Sequence, residues 1–376
     1  MLSGALDERP AATELDLSRA LPAPERTDEI ETPAVLIDLD RVERNLRRWQ
    51  DFCDAHGLAN RPHIKTHKLV PFAKRQLELG ARGITCQKLG EAEVMADAGI
   101  RDILLTYNIL GRSKLERLAA LARRAAVTVV ADSDVVVEGL SAAMAAAGIA
   151  IDVLVECDTG GGRCGVTSPA EAARLASVID QSPGLRLAGL MTYPAAGMRA
   201  QTAAFLEDAK SRCAAQGLDV KTVSTGGSPE LWSEEGLAPV TEYRAGTYIY
   251  NDRALVSRGV AAPEDCAATV LSTVVSCPTP ERAVIDAGSK ALSSDLQGLE
   301  GFGAVLGHPD VSIRKLNEEH GTLDLTPAPG SLRVGDRVRV LPNHVCVVSN
   351  LFDTVYFVRG DCVLCAHPVD ARGRVT

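Results

Sequence analysis

With 376 residues, 46% of them hydrophobic and 24% charged, the chain can bury a large core and suits one large domain plus a smaller one. Its formal net charge of -9 argues against a nucleic-acid surface, no segment approaches the roughly 18 apolar residues of a membrane span, and the acidic, proline-containing start through Glu31 lacks the basic and apolar regions of a signal peptide. Ten cysteines scattered through apolar stretches of so long a chain read as reduced, mostly buried thiols of a soluble cytoplasmic protein.

Residues 1–30 read as an irregular arm, rich in Pro, Glu and Ala, that packs on a later domain and leads into a strand at 34–39. Short apolar runs then alternate with Ala- and Leu-rich helical stretches. The runs fall at 62–66, 83–87, 103–106, 127–131, 152–157, 187–193, 221–224 and 241–245, and the helical stretches include 70–79, 89–98, 113–125, 134–147, 169–181 and 199–216. Gly80, Gly99, Gly148 and Gly217 stand where left-handed helix caps are expected. Eight alternations in about 220 residues match a (β/α)8 TIM-type barrel over 31–255, an open doubly wound sheet being the alternative. Beyond 256 the pattern changes to short strands with Gly and Pro turns, at 271–277, 282–286, 337–342, 345–348, 354–359 and 362–366. That predicts a C-terminal all-β domain over 256–376.

The chemistry collects at the predicted strand ends. In the string RPHIKTHK, a segment at 58–61 closes a helix, Pro62 opens strand one and Lys65 stands near its C-terminal end. A lysine placed there suits imine formation with a carbonyl, whereas a solvated basic turn is the plain alternative. Strand seven runs into Ser224-Thr225-Gly226-Gly227-Ser228 and strand eight into Gly246-Thr247-Tyr248, two glycine-hydroxyl loops of the kind that cradle a phosphate. Strand five presents Arg163 and strand six Tyr193, each of which alone reads equally well as a surface group. An amine nucleophile, a cation, a phenol and an anion cradle on one barrel face are what pyridoxal phosphate requires.

The motifs RPHIKTHK, KLGEAE, DTGGGRCGV, STGGSPELW, YRAGTYIYND and LPNHVC resemble the pyridoxal-phosphate enzymes of the alanine racemase-like fold, in the branch of D-threonine aldolase and D-serine dehydratase. The resemblance, over about residues 31 to 360, implies that Lys65 carries the cofactor as an imine. It further implies that Ser224, Thr225, Gly226, Gly246 and Thr247 or Tyr248 hold the phosphate, and that Arg163 and Tyr193 contact the ring. Lys68 and Lys88 are the competing lysines. It also makes His344 and Cys346 of HVC a metal pair, which neighbouring positions on a strand would point the same way. Zn²⁺ suits an N and S pair best, with Mn²⁺ or Mg²⁺ as alternatives. Cys362, Cys365 and His367 form a competing cluster read as structural.

The activity so implied is lysis of a D-β-hydroxy-α-amino acid: dehydration of D-serine or D-threo-3-hydroxyaspartate to a keto acid and ammonia, or aldol cleavage of D-threonine-like substrates to glycine and an aldehyde. His63 or His344 is the candidate base of the second reaction. Racemisation and non-catalytic cofactor carriage fit less well, since HVC occupies the functional stretch of the second domain. Relatives of this fold pair head to tail, so a homodimer in which His344 reaches a partner's barrel mouth is expected.

Overall fold

The computed structural model describes residues 15–376. Its first strand, β1 (Ala34–Asp38), leads into a helix at Leu39–Ala55, and the following eight strands form one parallel sheet. They are β2 (Ala59–Asn60), β3 (Ile84–Cys86), β4 (Asp102–Leu105), β5 (Ala126–Ala131), β6 (Ile151–Cys157), β7 (Leu185–Thr192), β8 (Thr222–Gly226) and β9 (Glu242–Arg244). The sheet order β2-β9-β8-β7-β6-β5-β4-β3 is closed by a parallel bridge between His63 and Thr85, which completes the expected (β/α)8 barrel. Alternate residues of each strand face helices or axis, so the interior is layered. Leu104, Val130, Leu154 and Met191 form its apolar middle.

Strand one differs from expectation. The helix before it ends at Ala55, and the ladder runs over 59–63: Arg61 N–H donates to Tyr243 O and His63 N–H to Ala245 O. Pro62 lacks a donor, but its carbonyl accepts from Thr85 N–H at 2.8 Å. The chain then leaves the strand at Ile64–Thr66 in a single 3-10 turn, capped by His63, whose Nδ1 accepts from Lys65 N–H. Lys65 therefore sits on a turn above the barrel, one step past the strand itself.

The second sheet holds β1 and eight later strands: β10 (Ala268–Thr279), β11 (Arg282–Ile285), β12 (Ala304–Val305), β13 (Ser312–Leu316), β14 (Gly321–Asp324), β15 (Arg337–Leu341), β16 (Thr354–Arg359) and β17 (Cys362–Pro368). Pairing of β10 with both β11 and β15 curls six of these into an antiparallel barrel. β1, placed in the first domain by its position in the chain, pairs instead with β10 and β16. Its four buried apolar residues in a row suit a central strand of this sheet. Of the N-terminal arm, residues 1–14 lie outside the described residues. The rest runs along β17, where Leu21 N–H donates to Ala366 O at 2.8 Å.

A second correction concerns 345–348. The string Val-Cys-Val-Val has strand propensity, yet Val345–Leu351 is a helix, entered from an extended His344. The Val345 N–H is taken by the buried carboxylate of Asp252, so a tertiary partner overrides the local preference. Among the described residues no helix is long and apolar enough to cross a membrane.

Candidate active site

Four charged residues and a serine form a ladder up the barrel axis. Arg61 bridges Asp102 Oδ1 and Glu242 Oε2, both at 2.6 Å. Ser224 Oγ donates to Glu242 Oε1 at 2.7 Å and accepts from Arg244 Nε at 2.8 Å, while Arg244 Nη2 reaches Thr192 O. Arg244 is buried, and burial pushes its pKa down to about 10 against the pull of Glu242 and Glu156. Ser224 was expected to hold phosphate, but both roles of its hydroxyl are taken by this ladder. Arg244, which sequence reading missed, forms the floor of the site.

Above that floor lies a small cavity lined by His63, Lys65, Gln87, Arg163, Tyr193, Gly227, Ser228, Arg244, Gly246 and Thr247, among others. It shares Arg163, Tyr193 and Gly227 with an adjoining cleft of about 340 Å³, which Thr225, Gly226 and Glu156 also line. Arg163 stacks over the Tyr193 ring at 4.9 Å to the centroid. The half-buried amine of Lys65 has no hydrogen-bond or ion-pair partner among the described residues. Lys68, by contrast, is buried and spent: its Nζ donates to Asn350 Oδ1 at 2.8 Å and lies 3.1 Å from Glu91 Oε1. Lys88 stacks on the Tyr107 ring. Of the three lysines, Lys65 alone offers an open amine to the cavity.

The residues present fit pyridoxal phosphate. Gly246 lies so close to the Lys65 turn that a Cβ would stand 3.0 Å from Thr66 Oγ1 and 3.1 Å from His63 O. At Gly226 a Cβ would meet Arg244 O at 2.8 Å. The N–H groups of Gly227 and Gly246 donate to nothing within the described residues, and Gly227 has φ +118, a conformation favouring glycine. Free N–H groups in a glycine-lined hollow are an anion cradle. Tyr248, in contrast, is in the core: its hydroxyl accepts from Gln76 Nε2 at 3.0 Å and its ring packs near Trp49. Its side chain is therefore unavailable to a phosphate.

His63 is fixed as a neutral ring. Its Nδ1 accepts from Lys65 N–H, so Nε2 carries the proton and donates to Gln87 Oε1 at 3.1 Å, the Gln87 amide being committed to Thr106 O. Burial, with Lys65 nearby, holds its pKa well below the ordinary range. With no free lone pair, His63 is not the base the sequence suggested. It positions the Lys65 turn instead.

The second domain meets the Lys65 turn and Thr247, at the edge of this cavity, within the same chain. Cys346 Sγ lies 3.1 Å from Thr66 Oγ1 and 3.7 Å from Thr247 Oγ1. Burial opposes ionisation of the thiol, but His344, Lys65 and Thr66 outweigh it and hold its pKa below the ordinary value. Burial likewise disfavours the imidazolium of His344, yet Asp252 and Cys346 raise it. His344 and Cys346 are thus neighbours, through a helix entry rather than a strand. Cys346 thus lies beside the Lys65 turn of its own chain. Cys362 is exposed and Cys365 buried, on opposite faces of β17, and among the described residues no three His, Cys, Asp or Glu side chains converge on a metal-sized site.

A lysine-bearing (β/α)8 barrel joined to an antiparallel β domain is the architecture of the alanine racemase-like, pyridoxal-phosphate-dependent fold. Residues 37–254 match the family model "Alanine racemase, N-terminal domain", and residues 267–358 match "Putative serine dehydratase domain". The chain belongs to this family. It is 36% identical over 373 residues to a D-threonine aldolase of Arthrobacter sp, covering 94% of this chain and 97% of the relative. The crystal structure of D-threonine aldolase from Filomicrobium marinum superposes with a TM-score of 0.85 at 35% identity, covering 95% of this chain and 100% of that one. That of D-threo-3-hydroxyaspartate dehydratase from Delftia sp. HT23 does so with 0.83 at 32%, covering 92% and 99%. Both activities are those of lyases.

Proposed function

We propose that the protein is a pyridoxal-phosphate- and metal-dependent lyase of D-β-hydroxy-α-amino acids, and that it eliminates water to give a keto acid and ammonia. Bound between Lys65 and the Gly227 and Gly246 cradle, with Arg163 and Tyr193 at its ring, the cofactor would supply an electron sink for charge developing at the substrate Cα. A divalent cation, zinc for preference, would be held by His344 and Cys346 and supply Lewis acidity at the β-hydroxyl. Solved mutants of D-threo-3-hydroxyaspartate dehydratase alter a histidine and, two positions beyond it, a cysteine whose alanine mutant is in a metal-free form, a spacing equal to that of His344 and Cys346. Lys65 is the group placed to move the Cα proton, since its amine is unpaired and faces the cavity.

The observation that carries elimination is the absence of a spare carboxylate at the metal pair among the described residues. Both oxygens of Asp252, the carboxylate beside it, already accept N–H groups. Aldol cleavage needs the β-hydroxyl proton removed, whereas elimination needs that hydroxyl to stay protonated until it leaves. The reading is tested by supplying the metal-loaded protein with D-serine, D-threonine and D-threo-3-hydroxyaspartate and assaying ammonia, keto acid, glycine and aldehyde separately. Ammonia and keto acid should dominate, and Cys346→Asp should shift product toward glycine. Glycine with an aldehyde as main product of the unmodified protein would establish the second reading, a D-3-hydroxy amino acid aldolase, which the slightly higher identity to the aldolases favours.

The proposal includes a cytoplasmic location, supported by ten unpaired cysteines, and a head-to-tail homodimer. Tyr107 and Leu110, exposed on the loop after β4 at the barrel's active face, support the pairing. An active monomer in sedimentation would refute it.

A further inference from the structure

Asp252 stands at the seam between the two domains, fully buried, and both of its oxygens are occupied. Oδ1 accepts from Leu255 N–H at 3.0 Å and so caps the short helix Arg253–Ser257. Oδ2 accepts from Val345 N–H at 3.2 Å and from Nδ1 of His344 at 3.0 Å. The clamp is reciprocal, because Arg253 N–H donates to Pro342 O and Ala254 N–H to Asn343 O, and Arg253 Nη1 reaches Asn343 Oδ1 at 3.0 Å. The ring of His344 and the backbone on either side of it are thus held by three consecutive residues, Asp252, Arg253 and Ala254, at the end of the barrel.

That geometry fixes which nitrogen of His344 is left over. An oxygen that already accepts the Val345 N–H presents only a lone pair to the imidazole, so Nδ1 must carry a proton and donate it. Nε2 is then the nitrogen left for a cation, which would displace the proton that Nε2 carries in the imidazolium. The negative charge behind the ring strengthens it as a donor, as buried carboxylates do for metal-bound histidines. A cap alone would need only Oδ1.

We propose that Asp252 is the positioning residue of the metal pair, holding His344 with its proton on Nδ1 and its Nε2 directed to the cation. The inference rests on the reading of His344 and Cys346 as metal ligands. Asp38 provides the comparison, since it caps the helix Leu39–Ala55 through Arg41 N–H and touches neither ligand.

Zinc affinity of the unmodified protein, Asp252→Asn and Asp38→Asn is measured by competition with a chromophoric chelator, with melting temperatures alongside. Both variants should melt lower, but Asp252→Asn alone should lose zinc affinity, by about 10- to 100-fold. An Asp252→Asn protein that is folded and binds zinc as tightly as the unmodified one overturns the proposal. Failure of the unmodified protein to bind zinc overturns the metal reading beneath it, which is a separate result. Should Asp252→Asn not fold, 15N-histidine NMR of the zinc-loaded unmodified protein decides: a protonated Nδ1 with zinc at Nε2 on His344 supports the assignment, and zinc at Nδ1 refutes it.

Discussion

The barrel half of the site and the β-domain half are built by different means. Lys65, Arg163, Tyr193 and the Gly227 and Gly246 loops stand where successive parallel strands end, so a repeated pattern places them on one face. His344 and Cys346 stand at the entry to a seven-residue helix whose first N–H is held by a residue more than ninety positions away. Repetition announces the first kind of placement in advance. The second depends on one tertiary contact, and no local period signals it.

If Lys65 alone carries the cofactor, Lys65→Ala should abolish both turnover and the visible absorbance of the bound cofactor, the largest effect expected of any single change. An unchanged spectrum would move the linkage elsewhere. Lys68→Ala should do the reverse, leaving the absorbance intact while depriving the buried carboxylate of Glu91 of its ion-pair partner. Removing one partner of such a pair costs roughly 3–5 kcal/mol, measurable by urea denaturation.

Acid should separate fold from site in a third way. Burial pushes the imidazole of His67 down to about 3, while the unfolded chain takes up that proton near 6.5. Between these values the unfolded state binds more protons, so stability falls as pH drops below about 6.5 and the loss levels off near pH 3. From pH 7 to pH 5 this residue should account for about 2 kcal/mol. Denaturation of His67→Asn at both pH values should show a correspondingly smaller decline, and an equal decline would contradict the burial argument. The smallest effect belongs to Tyr248→Phe, which removes the bond from Gln76 at a cost of about 1 kcal/mol. Cofactor affinity should not change; a loss would return the phenol to the phosphate site.

Much of this was legible in the residues. The alternation of apolar runs and helical stretches is a consequence of strands and helices packing in layers, and it located seven of the eight barrel strands closely. Strand one was displaced because Pro62 and Ile64 carry strand signals into a turn that His63 closes by a side-chain bond. β1 went to the other sheet because a buried apolar run does not say which sheet buries it. Ser224 and Tyr248 belong to phosphate-like loops by composition, yet their hydroxyls are claimed by Glu242, Arg244 and Gln76 across the fold. Asp252 lies within a motif of the family resemblance, but its bond to His344 is a long-range contact that spacing does not reveal.

The division of labour between the two halves can be tested in one titration. The purified protein, loaded with pyridoxal phosphate and zinc, is treated with a chelator while visible absorbance and turnover of D-threo-3-hydroxyaspartate are followed together. With the cofactor held by the barrel and the cation by His344 and Cys346, turnover should vanish while the absorbance of the lysine-bound cofactor stays. Loss of that absorbance in step with turnover would contradict the separation on which the account rests.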